Sequence, residues 1–346
     1  MYVNPALYLF TWAQNVDGVY IGMDLDFGSK VYWDPSSAIT SHVFVVGPSG
    51  SGKSVALSTL SYRMVRKFKS KITVFDVKTE YYHLFKVNGM NLNVFNPLKT
   101  PLPLCFCEDN RTEFEQKVNE FLNVFSKVYG ISTTMYRTLY ECVKYVCGKC
   151  ESIEHLYDTI ENLEALNDIA KIFEIYPTKD SDPMKSILNA NTIIELKDVF
   201  LKSSTLSSFV IYYVVDSILR NCGLSFSGIP QRIIVVDELW HAAPHIMDGL
   251  TQILTRYSRG CGISFFMATQ SIDDVGMHVD AVTNSSAVLL AMASQSHGYW
   301  NRMARYLNLS RRGIYRAAKL SGQGECVARV YPYENPVFIY IDPLEN

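Results

Sequence analysis

A chain of 346 residues with 48% hydrophobic content is long enough to bury the core of one large α/β domain and an appended lobe. Charged residues make up 19% and the formal net charge is -2, which weighs against a histone-like or repressor-like protein and confines any DNA contact to local loops. The longest apolar runs, such as residues 209–215, fall well short of the ~18 to 20 residues that span a bilayer. Residues 1–12 lack a basic n-region and a small-residue cleavage site, so a cytosolic protein is expected, with no membrane span in this chain.

Along the chain, Val19-Tyr20-Ile21-Gly22 and Lys30-Val31-Tyr32-Trp33 alternate as strands do, and the turn-rich Asp26-Phe27-Gly28-Ser29 between them predicts a β-hairpin. Val43-Phe44-Val45-Val46 is a short, fully apolar strand, followed by a glycine-rich loop and a helix over 54–68. A second buried strand, Ile72-Thr73-Val74-Phe75, ends at Asp76. Continuous apolar runs alternating with helices are what a parallel sheet covered on both faces requires. From about residue 101 to 191 the character changes. Phe114, Val118, Phe121, Leu122 and Phe125, then Leu139, Val143 and Val146, recur at helical spacing, with no convincing strand. The core resumes with a strand at 192–195, a helix over 206–220 and a strand at 233–236. Strands at 262–268 and 287–291, helices around 297–319 and strands at 325–330 and 337–341 complete it. The predicted class is α/β: a RecA-like P-loop NTPase core with a mostly parallel sheet and an N-terminal β-hairpin, over 1–100 and 192–346. An all-helical lobe is inserted at 101–191.

The chemistry starts with the glycine-rich loop. Gly47-Pro48-Ser49-Gly50-Ser51-Gly52-Lys53-Ser54 matches G-x-x-x-x-G-K-[ST] in full, after an apolar strand and at the start of a helix that continues with Val55. Glycines let backbone N–H groups turn inward around a β-phosphate, and the helix N-terminus adds its positive dipole end. Lys53 is placed to bridge the β- and γ-phosphates and Ser54 to ligate Mg²⁺, so ATP and Mg²⁺ are the expected cofactors. Ile233-Ile234-Val235-Val236-Asp237-Glu238 has the form of a Walker B strand, delivering Asp237 to the metal and Glu238 to an attacking water. A carboxylate base beside the metal favours hydrolysis over transfer to a small-molecule acceptor. Gln270 ends the next strand as a candidate γ-phosphate sensor, and Asp76 ends the strand after the P-loop helix, where it is expected to face the nucleotide or its water.

Other residues carry weaker signals. Arg256 and Arg259 follow the acidic pair; Arg259, with Gly260 next to it, is the candidate for reaching a neighbouring subunit's γ-phosphate, against a helix-end arginine serving the dipole. Arg302, Arg305, Arg311, Arg312, Arg316 and Lys319 read either as a DNA-binding helix pair or, more commonly for such spacing, as a solvated face. His241 and His245, with Pro244 between them and no third ligand evident, do not make a zinc site. The eight cysteines read as reduced, mostly buried thiols. Cys147-Gly148-Lys149-Cys150 has zinc-knuckle spacing that Cys105 and Cys107 could complete, and disulfides are a further alternative.

Taken in order, the hairpin at 18–22, the segment Phe75-Asp76-Val77-Lys78-Thr79-Glu80-Tyr81, Asn96-Pro97-Leu98, the helical insert, Asp237-Glu238, Arg259-Gly260 and Thr269-Gln270 resemble the HerA/FtsK superfamily of hexameric DNA translocases. Within it the chain resembles the C-terminal ATPase domain of conjugation and type IV secretion motors, and an archaeal DNA-import ATPase in particular. Residues 76–80 are similar to the superfamily's D-x-K-G-E run, with Thr79 in place of glycine. The resemblance implies an ATP-hydrolysing hexameric DNA translocase at the inner face of the cell membrane, serving a membrane-embedded transfer channel. It also implies that Lys53 and Ser54 bind nucleotide and Mg²⁺, Glu238 is the base, Gln270 the sensor, Arg259 the trans finger and Asp76 a supporting acid. Loops 78–86 and 271–280 are candidates for lining a DNA channel. The other readings are a HerA-type end-processing or viral packaging ATPase, and, from another class, a protein-secretion ATPase or nucleotide-dependent assembly switch.

Overall fold

In the computed structural model, residues 18–87, 89–154, 169–223, 228–238, 247–333 and 335–343 are described. The strands, in chain order, are β1 (Val19–Asp24), β2 (Lys30–Trp33), β3 (His42–Val46), β4 (Lys71–Asp76), β5 (Asn93–Phe95), β6 (Leu102–Phe106), β7 (Phe173–Tyr176), β8 (Thr192–Glu195), β9 (Arg232–Val236), β10 (Ile263–Thr269), β11 (Ser286–Met292), β12 (Glu325–Val330) and β13 (Val337–Tyr340). The helices that matter below are α1 (Lys53–Phe68), α2 (Tyr81–Lys86), α3 (Arg111–Tyr129), α4 (Thr133–Lys149), α5 (Pro183–Asn189) and α6 (Ser204–Arg220).

Fully apolar strands have no side to offer solvent, and here both faces are covered. Val43 and Val45 of β3 join one core with α1, while Phe44 and Val46 join the other with α3 and α6. The same split divides Ile233 and Val235 from Ile234 and Val236, and Phe266 and Ala268 from Phe265 and Met267. These strands therefore lie in the middle of an eleven-stranded sheet of order β2-β1-β13-β12-β11-β3-β10-β9-β4-β8-β5. From β11 to β5 every pairing is parallel. The predicted hairpin forms: β1 pairs antiparallel with β2 and also with β13, which pairs with β12 and so extends the sheet antiparallel beyond β11.

Between the hydrogen-bonded neighbours β5 and β8 the chain leaves this sheet. Asn110 and Glu113 close a capping box at the start of α3, and Gly130 in the left-handed region ends it. Val118, Phe121, Leu122 and Phe125 face inward as their spacing predicts. The expectation that 101–191 is all helical is corrected, because β6 and β7 form a separate two-stranded parallel sheet. All five residues of β6 are buried, so no alternation marks it, and Pro103 argues locally against a strand. The insert does not close its own core: Phe121 meets Phe173 at 5.2 Å and Phe209 of α6 at 5.5 Å between ring centroids.

The cysteine expectation also changes. Cys105–Cys147 and Cys107–Cys150 form disulfides that fasten β6 to the end of α4, and Cys222–Cys261 ties the chain after α6 to the turn before β10. Cys142 and Cys326 remain thiols. Zinc-knuckle spacing and a cross-linked pair look alike in sequence, since both need only that two chain segments meet. Among the described residues no helix is long and apolar enough to cross a membrane.

Candidate nucleotide-binding site

Strands β3, β10, β9 and β4 are consecutive neighbours and all parallel, so their carboxyl ends open along one edge. The loop 47–52 leaves β3 there, and Asp76, Asp237, Glu238 and Gln270 leave the other three. Gly52 has φ 98°, a conformation that suits glycine, and it delivers the chain directly into α1. A side chain on Gly47 would begin 2.6 Å from the Cβ of Met292, so the loop's entry also requires glycine. Ser51 Oγ donates to the Pro48 carbonyl at 2.8 Å, and the Gly324 amide braces the Ser51 carbonyl at 3.2 Å. Ser49 and Gly50 form the exposed tip, and Val55 continues the first turn of α1.

Lys53 is 5% exposed; its Nζ donates to the Pro48 carbonyl at 3.2 Å and lies 3.9 Å from Glu238 Oε1. Burial lowers its pKa, and the carboxylates of Glu238 and Asp237 oppose that shift. Ser54 Oγ donates to Asp237 Oδ2 at 2.6 Å, and the buried Tyr81 hydroxyl donates to the same oxygen at 3.2 Å. Burial, then the charge of Asp237, pushes the Tyr81 pKa well up, so that hydroxyl stays a donor. Asp237 Oδ1 is buried with no hydrogen-bond partner. A serine hydroxyl beside a carboxylate with one free oxygen is a hard-oxygen donor set of the kind that holds Mg²⁺ together with phosphate oxygens. Among the described residues no group of three or more His, Cys, Asp or Glu side chains makes a metal site, and the four cysteines considered for zinc are paired in the two disulfides.

Glu238 is 4% exposed and its backbone sits at φ 51°, in the left-handed region. Its Oε1 accepts from Lys78 Nζ at 3.0 Å and from Gln270 Nε2 at 3.2 Å, while its Oε2 is buried without a partner. Gln270, expected as a γ-phosphate sensor, stands against the Glu238 carboxylate.

Asp76 Oδ1 accepts the amides of Lys78, Thr79 and Glu80 at 3.0, 2.7 and 3.4 Å, and its Oδ2 the amide of Tyr81 at 2.9 Å. With both oxygens engaged by backbone N–H groups, it shapes the turn 77–81. The sequence reading missed what that turn presents: Lys78 on Glu238 and Tyr81 on Asp237. A signal existed in the D-x-K-x-E run itself, whose lysine lies two residues from the strand end.

The arginines are elsewhere. Arg259 and Arg256 are exposed, and the Arg259 carbonyl accepts the amide of Gly262 just before β10 begins. That is the opposite end of β10 from Thr269, about 20 Å away along an extended strand. Arg302, Arg305 and Arg316 are paired with Asp273, Asp280 and Asp26, as a solvated face would be. His241 and His245 lie outside the described residues.

A glycine-rich loop on a central strand, with an acidic pair ending a parallel strand beyond its neighbour, defines a RecA-like P-loop nucleoside triphosphatase. Residues 19–218 match the family described as "Helicase HerA, central domain", and the chain belongs to that family. It is 27% identical over 345 residues to the DNA import protein CedB of Sulfolobus acidocaldarius, covering 95% of this chain and 56% of that protein. The chain thus spans about half the length of that relative. Its fold is similar to VirB4 of Thermoanaerobacter pseudethanolicus, with a TM-score of 0.69 at 15% identity over 94% of this chain and 96% of the other. It is also similar to the bacterial conjugative coupling protein TrwBdeltaN70, with a TM-score of 0.63 at 14% identity over 99% and 92%.

Proposed function

We propose that this chain is the motor portion of an ATP-hydrolysing DNA translocase, acting as a hexameric ring on the cytoplasmic side of a membrane-embedded DNA-transfer channel. The observation that carries the reading is the meeting of Lys53, Ser54, Asp237 and Glu238 within 4 Å contacts at the carboxyl ends of neighbouring parallel strands. The motor core comprises 1–100 and 192–346, and 101–191 is an appended lobe that shares the core's aromatic packing.

In this reading the amides of 47–52 and the N-terminus of α1 seat the phosphates, and Lys53 spans the β- and γ-phosphates. Ser54 and Asp237 hold Mg²⁺, which neutralises charge on the phosphate oxygens when bound. Glu238 accepts the proton of the attacking water, and Gln270, already against that carboxylate, reports the γ-phosphate. Arg259 acts on the neighbouring subunit. DNA as the cargo is supported by membership in the HerA family and by similarity to a DNA import protein. With a net charge of -2, contact must be local, and 78–86 and 271–280 are the candidate channel loops.

The test is the ATPase rate with and without single- and double-stranded DNA, on a sample of measured oligomeric mass. DNA-stimulated hydrolysis by a six-subunit assembly is expected. Hydrolysis indifferent to both DNAs would overturn the translocase reading and favour a protein-secretion ATPase or an assembly switch.

A further inference from the structure

We infer that Lys78 is a positioning residue for hydrolysis, anchoring Oε1 of Glu238 so that Oε2 is the oxygen offered to the attacking water. The inference rests on the reading of Glu238 as the hydrolytic base and adds a residue to that site.

The two carboxylate oxygens of Glu238 are in unequal surroundings. Oε1 accepts from Lys78 at 3.0 Å and from Gln270 at 3.2 Å, and Lys53 stands 3.9 Å away. Oε2 is buried and has no partner. A carboxylate held by one donor can turn about its terminal bond and exchange its oxygens. Two donors from opposite flanks fix the plane and leave one defined oxygen for chemistry.

Lys78 reaches this place by construction. Asp76 gathers four successive amides, from Lys78 to Tyr81, and forces Thr79 to φ 62°. A β-branched residue pays strain there, so the turn is held against its local preference. The buried Tyr81 pins the far end of the turn to Asp237. Between these two fixed points the Lys78 side chain runs inward, its Nζ also 3.9 Å from Asp237 Oδ2. Burial lowers the Lys78 pKa, but Asp237 and Glu238 outweigh it and the net shift is upward, so the ammonium persists. Its side chain is 35% exposed, and a pair that open to solvent adds little to stability. Orientation of the carboxylate is what the contact supplies.

The experiment compares wild type, Lys53→Ala, Glu238→Gln, Lys78→Met and Lys78→Arg for kcat and KM with ATP, for the Kd of a fluorescent ATP analogue, and for melting temperature. Lys78→Met is expected to lower kcat on the order of 10- to 100-fold while KM and Kd stay within about threefold. Lys78→Arg is expected to recover part of the loss, because a guanidinium can donate to the same oxygen. Should Lys78→Met fail to fold, Gln270→Ala, which removes the other donor to Oε1, is expected to show the same split between kcat and KM. A wild-type kcat in Lys78→Met overturns the inference, as does a rise in Kd by the same factor as the fall in kcat, which would place Lys78 on the phosphate. Wild-type turnover by Glu238→Gln would remove the base reading itself. An inactive Glu238→Gln beside a fully active Lys78→Met would remove the positioning role alone.

Discussion

At the scale of single residues, the site depends on polar groups whose partners are backbone amides. Asp76 holds a turn with four N–H groups, and each such charge-assisted bond contributes about 1.5–3 kcal/mol when its loss leaves a donor stranded. Asp76→Asn replaces one acceptor oxygen with an NH₂ group that must face an N–H donor. The expected outcome is a lower urea midpoint, by about 1–3 kcal/mol of stability, together with a loss of kcat that tracks the loss in Lys78→Met. A variant with normal stability and no turnover would instead mean that Asp76 takes part in the chemistry. His42 makes a second residue-scale case. Its Nδ1 accepts the Phe265 amide at 3.0 Å, so the proton sits on Nε2, which faces the Leu254 carbonyl at 3.1 Å and Ser258 Oγ at 3.0 Å. Burial lowers its pKa to about 4 from 6.5, a shift the Leu254 carbonyl only partly opposes. Below pH 6.5 the unfolded chain takes up a proton that the native state refuses. Stability is therefore full above pH 6.5 and falls by up to about 3 kcal/mol as the pH drops toward 4. Glutamine at this position can accept and donate but not titrate. Urea midpoints between pH 7 and 5 should fall less steeply in His42→Gln than in wild type.

At the scale of elements, what could be read from sequence follows from how each segment meets solvent. The hairpin alternates and was legible; β3, β4, β9, β10 and β11 each carry a short, mostly apolar run, and the helices between them supplied the parallel sheet. Strands β6 and β7 are short, the first is buried on both faces, and their pairing joins residues some seventy positions apart, which no local pattern encodes. The P-loop and acidic pair were legible because their chemistry dictates residue type at fixed spacing. The inward turn of Lys78 was not, because it depends on the Asp76 carboxylate being spent on four amides. Cross-links likewise join distant elements. Cys222–Cys261 has a sequence separation of 39 and fastens the exit of α6 to the turn just before β10, two residues after Arg259. Closing a loop of that length restricts the unfolded chain by ~2–4 kcal/mol. The Cys222→Ser, Cys261→Ser double variant should lose about that much in denaturant unfolding under non-reducing conditions. With both proteins reduced, the difference should vanish, because Cys105–Cys147 and Cys107–Cys150 are common to the two.

At the scale of the whole molecule, the two ends of the sheet have different work. The phosphate site lies at the carboxyl ends of β3, β4, β9 and β10, and exposed Arg259 lies at the amino end of β10. About 20 Å of strand separates it from Gln270, more than an arginine side chain spans, so Arg259 cannot serve its own subunit's nucleotide. If it stabilises charge on a γ-phosphate, it does so across a head-to-tail interface, and only a closed ring gives every subunit both halves of a site. Arg259→Ala and Glu238→Gln should each abolish most hydrolysis when assembled alone. In mixed rings, an Arg259→Ala subunit keeps its base and receives the intact arginine of a Glu238→Gln neighbour. Random mixing in equal amounts makes about a quarter of the interfaces complete, so recovery toward a quarter of the wild-type rate is expected. Recovery requires subunit exchange, which fluorescence transfer between labelled subunits measures in the same sample. Exchange without recovered hydrolysis would mean that Arg259 caps its own helix end and that the charge on the γ-phosphate is met from within one chain.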